Sequence, residues 1–195
     1  MLYLPANSGD VFVVSGTDPG THNLGIGDLY VDIHTLEIRS FEARTLVATK
    51  MMNDDDLLVV NHGHTYARTY SHKEALTEHF RRIRPSAIAC EDAFFNRRTP
   101  GAYAPLLKSI QSIREAVIAY NPYMKFNLYE ASVIKSAAGA VGWSKKAGTN
   151  KSAVYDALLK NPEFKVPSRT PLSTLSEHAI DSLAIAFTHL QYMRS

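Results

Sequence analysis

The chain holds one cysteine, Cys90, in 195 residues. A single thiol excludes an intrachain disulfide framework, and its place in the apolar run 87–90 reads as a small buried hydrophobe. No segment approaches the roughly 18 consecutive apolar residues of a membrane span. The opening stretch, Met1 to Pro5, lacks the basic flank and apolar core of a secretory leader. These absences lead us to expect a cytoplasmic protein with no membrane association. Net charge is nearly absent as a signal: 21 Lys and Arg against 19 Asp and Glu leave +2. Any nucleic-acid contact therefore depends on how the charges are distributed. There is no internal repeat and no low-complexity tract.

What is present is an ordinary globular composition, 45% hydrophobic and 21% charged. The length suits a single domain over 1–195, with 1–9 as a loose N-terminal arm. Residues 11–18 are short, β-branched and aromatic, which predicts a buried strand closed by the turn Asp18-Pro19-Gly20. Residues 23–33 and 37–45 predict two further strands joined as a hairpin. The polar stretch 46–70 predicts a helical piece or a loop. Ser71 with Glu74 has the form of a capping box, which predicts a helix over 72–84 that Pro85 ends. Residues 86–91 predict a strand, 95–101 a basic loop, 102–120 a long helix, 125–129 a strand and 131–140 a helix. A flexible basic loop over 139–148, a helix over 150–161, a linker over 162–171 and a last helix over 173–192 complete the order. Hairpin-linked strands pair antiparallel, and strand–helix–strand crossovers pair parallel. The expected fold is therefore α/β, a mixed sheet flanked by helices.

Three carboxylates and one imidazole stand where hydrophobic elements meet breaks. Asp18 closes the first strand, Glu91 closes 87–90, and His178 and Asp181 lie three apart in an apolar helix, on one face. Glu177, four before Asp181, shares that face equally well by spacing. A carboxylate at the end of a buried strand is costly unless its charge is compensated. Several such groups converging on one spot call for a divalent cation. Metal-dependent phosphoryl chemistry is the reading these residues favour.

Four segments in this order resemble the RuvC family of Holliday-junction resolvases. They are Gly16-Thr17-Asp18-Pro19-Gly20, Glu91-Asp92-Ala93-Phe94, Val133-Ile134-Lys135 with Asn150-Lys151-Ser152, and the run from His178 to Ala186 that contains Asp-x-Leu-Ala-Ile-Ala. The resemblance spans about residues 11–191. It implies a ribonuclease H-like fold with a mixed five-stranded sheet, three strands antiparallel and two parallel. It implies a homodimer that nicks a four-way DNA junction symmetrically, using two magnesium ions per active site, with manganese able to substitute. Asp18, Glu91, His178 and Asp181 match the family's four metal-site positions; His178 departs from the commoner Asp there. Lys135 and Lys151 match two lysines near the scissile phosphate, although the loop between them is expanded. Phe94 matches an aromatic that enters the opened junction centre. Arg97, Arg98, Lys145 and Lys146 are expected DNA contacts. A partner that drives branch migration is a further expectation of this likeness.

Other readings compete. Asp18-Pro19-Gly20-Thr21 also fits the phosphate loop of actin-like ATPases and sugar kinases, but that fold needs two such domains. A nuclease of the same fold acting on flaps, forks or RNA–DNA hybrids fits the same acids, as does a non-catalytic module that binds branched DNA. His62, His64 and His72 invite a zinc site, which the lack of cysteine partners disfavours. Arg81, Arg82 and Arg84 read as the solvated end of a helix.

Overall fold

Alternation with a period of two builds the sheet. In β1 (Val11–Asp18) the even-numbered residues from Phe12 to Asp18 point to one face and the odd-numbered ones to the other. The computed structural model describes residues 9–94, 100–140 and 151–195, the side chains of 151 and 152 excepted. β1 pairs antiparallel with β2 (Asn23–Asp32), which pairs antiparallel with β3 (Ile38–Val47). On its other side β1 pairs parallel with β4 (Ala87–Glu91), and β4 pairs parallel with β5 (Phe126–Tyr129). The order is β3-β2-β1-β4-β5, the mixed five-stranded sheet expected.

Helices cover both faces. α1 (Leu57–His62), α2 (His64–Ile83) and α3 (Tyr103–Tyr120) precede and follow β4. α4 (Ala131–Ala137), α5 (Lys151–Lys160) and α6 (Glu177–Arg194) follow β5. Leu24, Ile26, Ile88 and Cys90 meet Leu76 and Phe80 of α2 and Ile113 and Val117 of α3 on one face. Phe12, Val14, Leu29 and Ala89 meet Ile180, Leu183 and Phe187 of α6 on the other. Each fully buried side chain of this size contributes roughly 1.5–3 kcal/mol. Among the described residues no helix is long and apolar enough to cross a membrane.

α6 lies almost in backbone contact with the sheet because β1 and β2 present glycine to it. A Cβ on Gly16 would sit 2.1 Å from the Ser182 carbonyl oxygen, and one on Gly25 would sit 1.9 Å from that of His178. One on Gly27 would meet the Leu183 nitrogen at 2.7 Å. Bare backbone at these positions brings the helix down onto the ends of β1 and β2.

On the opposite face a buried polar network ties α2 to the sheet. Asp28, 1% exposed, accepts from Ser15 Oγ at 2.5 Å and from His79 Nε2 at 2.8 Å. Arg44 and Arg82 each bring an Nη2 to 3.2 Å from His79 Nδ1. A guanidinium only donates, so Nδ1 is the acceptor and the ring proton sits on Nε2, facing the carboxylate. The charge of Asp28 is thereby satisfied inside the core.

Several boundaries differ from expectation. α2 begins at His64, so Ser71 lies inside the helix and forms no cap. Burial of Ala67 and Thr69 carries the helix back past that position, and Gly63, at φ +80°, breaks it from α1. The last helix begins at Glu177 because the Ser176 hydroxyl accepts from the Ala179 N–H, capping it there. Residues 162–171 are more than a linker: Phe164 is buried against Phe41 and Phe187, and Ser168 bridges to Phe41 at the β3 edge. His72 is buried, while His62 and His64 are exposed. No group of three metal-ligating side chains forms among the described residues, so the zinc reading finds no support there.

Candidate active site

β1 and β4 run parallel, so Asp18 and Glu91 emerge at the same edge of the sheet. Both lie on the face that carries α6, two residues beyond Gly16 and Ala89. α6 lays its first two turns over that edge, held close by Gly25 and Gly27. The Ser176 cap is itself hydrogen-bonded to Thr45 Oγ1 on β3, which fixes where the helix starts. His178 and Asp181 are thereby brought to the strand ends. His178 Nδ1 is 2.6 Å from Asp18 Oδ2, with the two side chains 33% and 13% exposed.

The charges at this edge act on one another. Burial, reinforced by the negative charges of Asp18 and Asp181, pushes the Glu91 carboxyl up to about 7. Lys135, on α4, acts in the opposite direction and favours the Glu91 carboxylate. Asp18, Glu91, Asp181, His178 and Lys135 therefore occupy one neighbourhood, although they come from four elements. Beyond Glu91 the chain is held by Asp92 N–H donating to the Tyr129 carbonyl at 2.8 Å. It then presents Phe94, 57% exposed.

The three carboxylates offer hard oxygen donors suited to magnesium or manganese, and the imidazole offers a nitrogen donor beside them. Burial first, and then repulsion from Asp18 and Asp181, raises the Glu91 carboxyl, a cost that a divalent cation would offset. Among the described residues no group of three such side chains stands in ligand geometry. The fit therefore rests on charge and donor chemistry.

Other residues expected at the site stand as follows. The backbone of Lys151 opens α5, and its side chain is outside the description. Arg97, Arg98, Lys145 and Lys146 lie outside the described residues. The sequence reading passed over Thr45, Ser176 and Gly25, which position α6. A serine directly before Glu177 was the available sign for the cap.

The fold is the class defined by a mixed sheet in the order β3-β2-β1-β4-β5 with acidic side chains at the carboxyl ends of its central strands. Among solved structures it is similar to Thermus thermophilus RuvC in complex with a Holliday junction substrate. That likeness has a TM-score of 0.66 at 22% identity, covering 94% of this chain and 95% of that one. A second Thermus thermophilus RuvC structure gives 0.63 at 22% identity, with 94% and 96% covered. The architecture is thus the RuvC-type, ribonuclease H-like fold. No protein-family model matches the chain. No curated protein sequence matches it either.

Proposed function

We propose that the chain is a divalent-metal-dependent endonuclease that resolves four-way DNA junctions by paired, symmetrical nicks. The observation that carries this reading is the convergence of Asp18, Glu91 and Asp181 at one sheet edge, with the Glu91 carboxyl raised to about 7 by burial and its acidic neighbours. The fold around it is shared, over 94% of the chain, with a protein solved on a Holliday junction.

Asp18, Glu91 and Asp181 would hold the cations, with His178 as a further ligand or as the group that orients Asp18. When bound, the ions would supply positive charge to the transition state and an activated water at neutral pH. Hydrolysis adds the water oxygen to phosphorus, breaks the P–O3′ bond and leaves a 5′ phosphate and a 3′ hydroxyl. His178, 2.6 Å from Asp18, would take up or pass on a proton there. Lys135, already within electrostatic reach of Glu91, would add charge at the scissile phosphate. Phe94, exposed just beyond Glu91, would stack in the opened junction centre.

Paired nicks need two sites related by a two-fold axis, which a homodimer provides. Support for such an interface comes from α2 and α3, where Tyr66, Leu107 and Ile118 are 50%, 43% and 52% exposed. The test is a panel of labelled DNAs: four-way junction, Y-fork, linear duplex and RNA–DNA hybrid, with magnesium. The proposal expects symmetrical nicks in the junction and little cutting of duplex. Preferential cutting of fork or hybrid would keep the nuclease and remove the junction claim.

A further inference from the structure

The loop that follows Asp18 carries a second polar constellation, on the far side from α6. His22 and Asp18 stand at opposite ends of the turn joining β1 to β2. Arg68, from α2, brings Nη1 to 2.7 Å from His22 Nε2. Because a guanidinium only donates, Nε2 accepts, and the neutral ring keeps its proton on Nδ1. His22 is exposed, so that N–H is a donor at the surface.

Two features make this more than a chance surface pair. Arg68 has no carboxylate within ion-pair distance among the described residues, and its Nε is buried with no hydrogen-bond partner. A partly buried guanidinium left without a counter-charge is costly, and an anion would offset it. The loop is also rigidly held. Ala48 N–H donates to the His22 carbonyl at 2.9 Å, and Ser109 Oγ donates to the Gly20 carbonyl at 3.3 Å. His22 is thus displayed on a pinned turn whose other end is Asp18, and Arg68 reaches it from α2.

We propose that His22 and Arg68 form a backbone-phosphate contact for nucleic acid, gripping a phosphodiester near the one presented to Asp18. This rests on the nuclease reading above. A strand passing over the carboxyl ends of β1 and β4 meets the acids and Lys135 on the α6 side. It meets His22 and Arg68 on the α2 side. The contact is sequence-independent, since it addresses phosphate alone.

The test is binding of a fluorescent four-way junction in EDTA, titrated across about 50 to 200 mM salt. The wild-type chain is compared with Arg68→Gln and with His22→Glu, which introduces a negative charge. Loss of one phosphate contact lowers the slope of log K against log salt by about 1 and weakens binding roughly 5- to 10-fold. A merely structural Arg68 would lower Tm and leave the slope of the folded protein unchanged, which overturns the proposal. Should Arg68→Gln fail to fold, the exposed His22→Glu decides. Binding at least about tenfold weaker supports the contact, and wild-type binding overturns it. A wild-type chain that binds no branched DNA overturns the nuclease reading and this contact together. Strong wild-type binding with unchanged variants overturns this contact alone.

Discussion

His178 Nδ1 lies 2.6 Å from Asp18 Oδ2, across 160 positions of sequence. The contact joins the end of β1 to the first turn of α6. An imidazole there contributes one fewer negative charge to the acidic cluster than an aspartate would. We therefore expect His178→Asp to change the order of preference between magnesium and manganese, read as cleavage rate against each metal. Identical metal profiles for the two proteins would contradict a role for His178 at the metal.

Glu91 carries the cost of the site in the metal-free protein. Its folded carboxyl is raised from 4.5 to about 7, so ionisation above the unfolded value destabilises the fold increasingly up to about pH 7. A shift of that size corresponds to at most about 3 kcal/mol, and partial exposure reduces it. In EDTA at pH 8, Glu91→Gln should be more stable than wild type by about 1–2 kcal/mol. Near pH 4.5 the two should converge. The same variant should lose cleavage. Denaturant melts at both pH values check this, and a destabilised Glu91→Gln at pH 8 would contradict it.

Gly25 holds α6 at its close approach. An added Cβ would lie 1.9 Å from the His178 carbonyl oxygen and 3.1 Å from Asp18 Cβ. Gly25→Ala should cost about 1–3 kcal/mol or more through overpacking. It should reduce cleavage further than the stability loss explains, because the helix carrying His178 and Asp181 is displaced. Gly101→Ala, with nothing within 4 Å, is the control and should leave both unchanged. Thermal melts and cleavage rates at a temperature where both variants are folded separate the two effects.

Histidine burial sets an acid limit. Desolvation holds the His72 ring down at about 4, and His189 likewise. Their unfolded forms protonate near 6.5, so this stability is complete above that pH and is lost as pH falls toward 4. Each contributes at most on the order of 3 kcal/mol to that loss. Tm should fall steeply between pH 6.5 and 4, and His72→Leu should flatten the fall. An unaltered pH slope in His72→Leu would show that His72 is not a source of it.

Much of the sheet was legible because β1, β2 and β4 alternate cleanly or run apolar to a break. Asp18 and Glu91 stood out as candidates because an acid closing a buried strand is costly. His178 and Asp181 stood out only through the family resemblance, since helical spacing alone left Glu177 equally open. The start of α2 was not, since Ser71 and Glu74 form a persuasive local signal that burial of Ala67 and Thr69 overrides. The Ser15–Asp28–His79 network and the His22–Arg68 pair were invisible for another cause. Their hydrogen-bonded partners lie 13 to 51 positions apart and meet only once the sheet and α2 are packed. The close packing of α6 depends on the glycines of two strands at once, which no local pattern announces.

The most direct measurement is magnesium-dependent cleavage of a synthetic four-way junction by wild type and by Asp18→Asn, with binding measured in parallel. The account predicts paired symmetrical nicks by wild type, abolished in Asp18→Asn while junction binding persists. An active Asp18→Asn, or cleavage that survives chelation of every divalent ion, would contradict it.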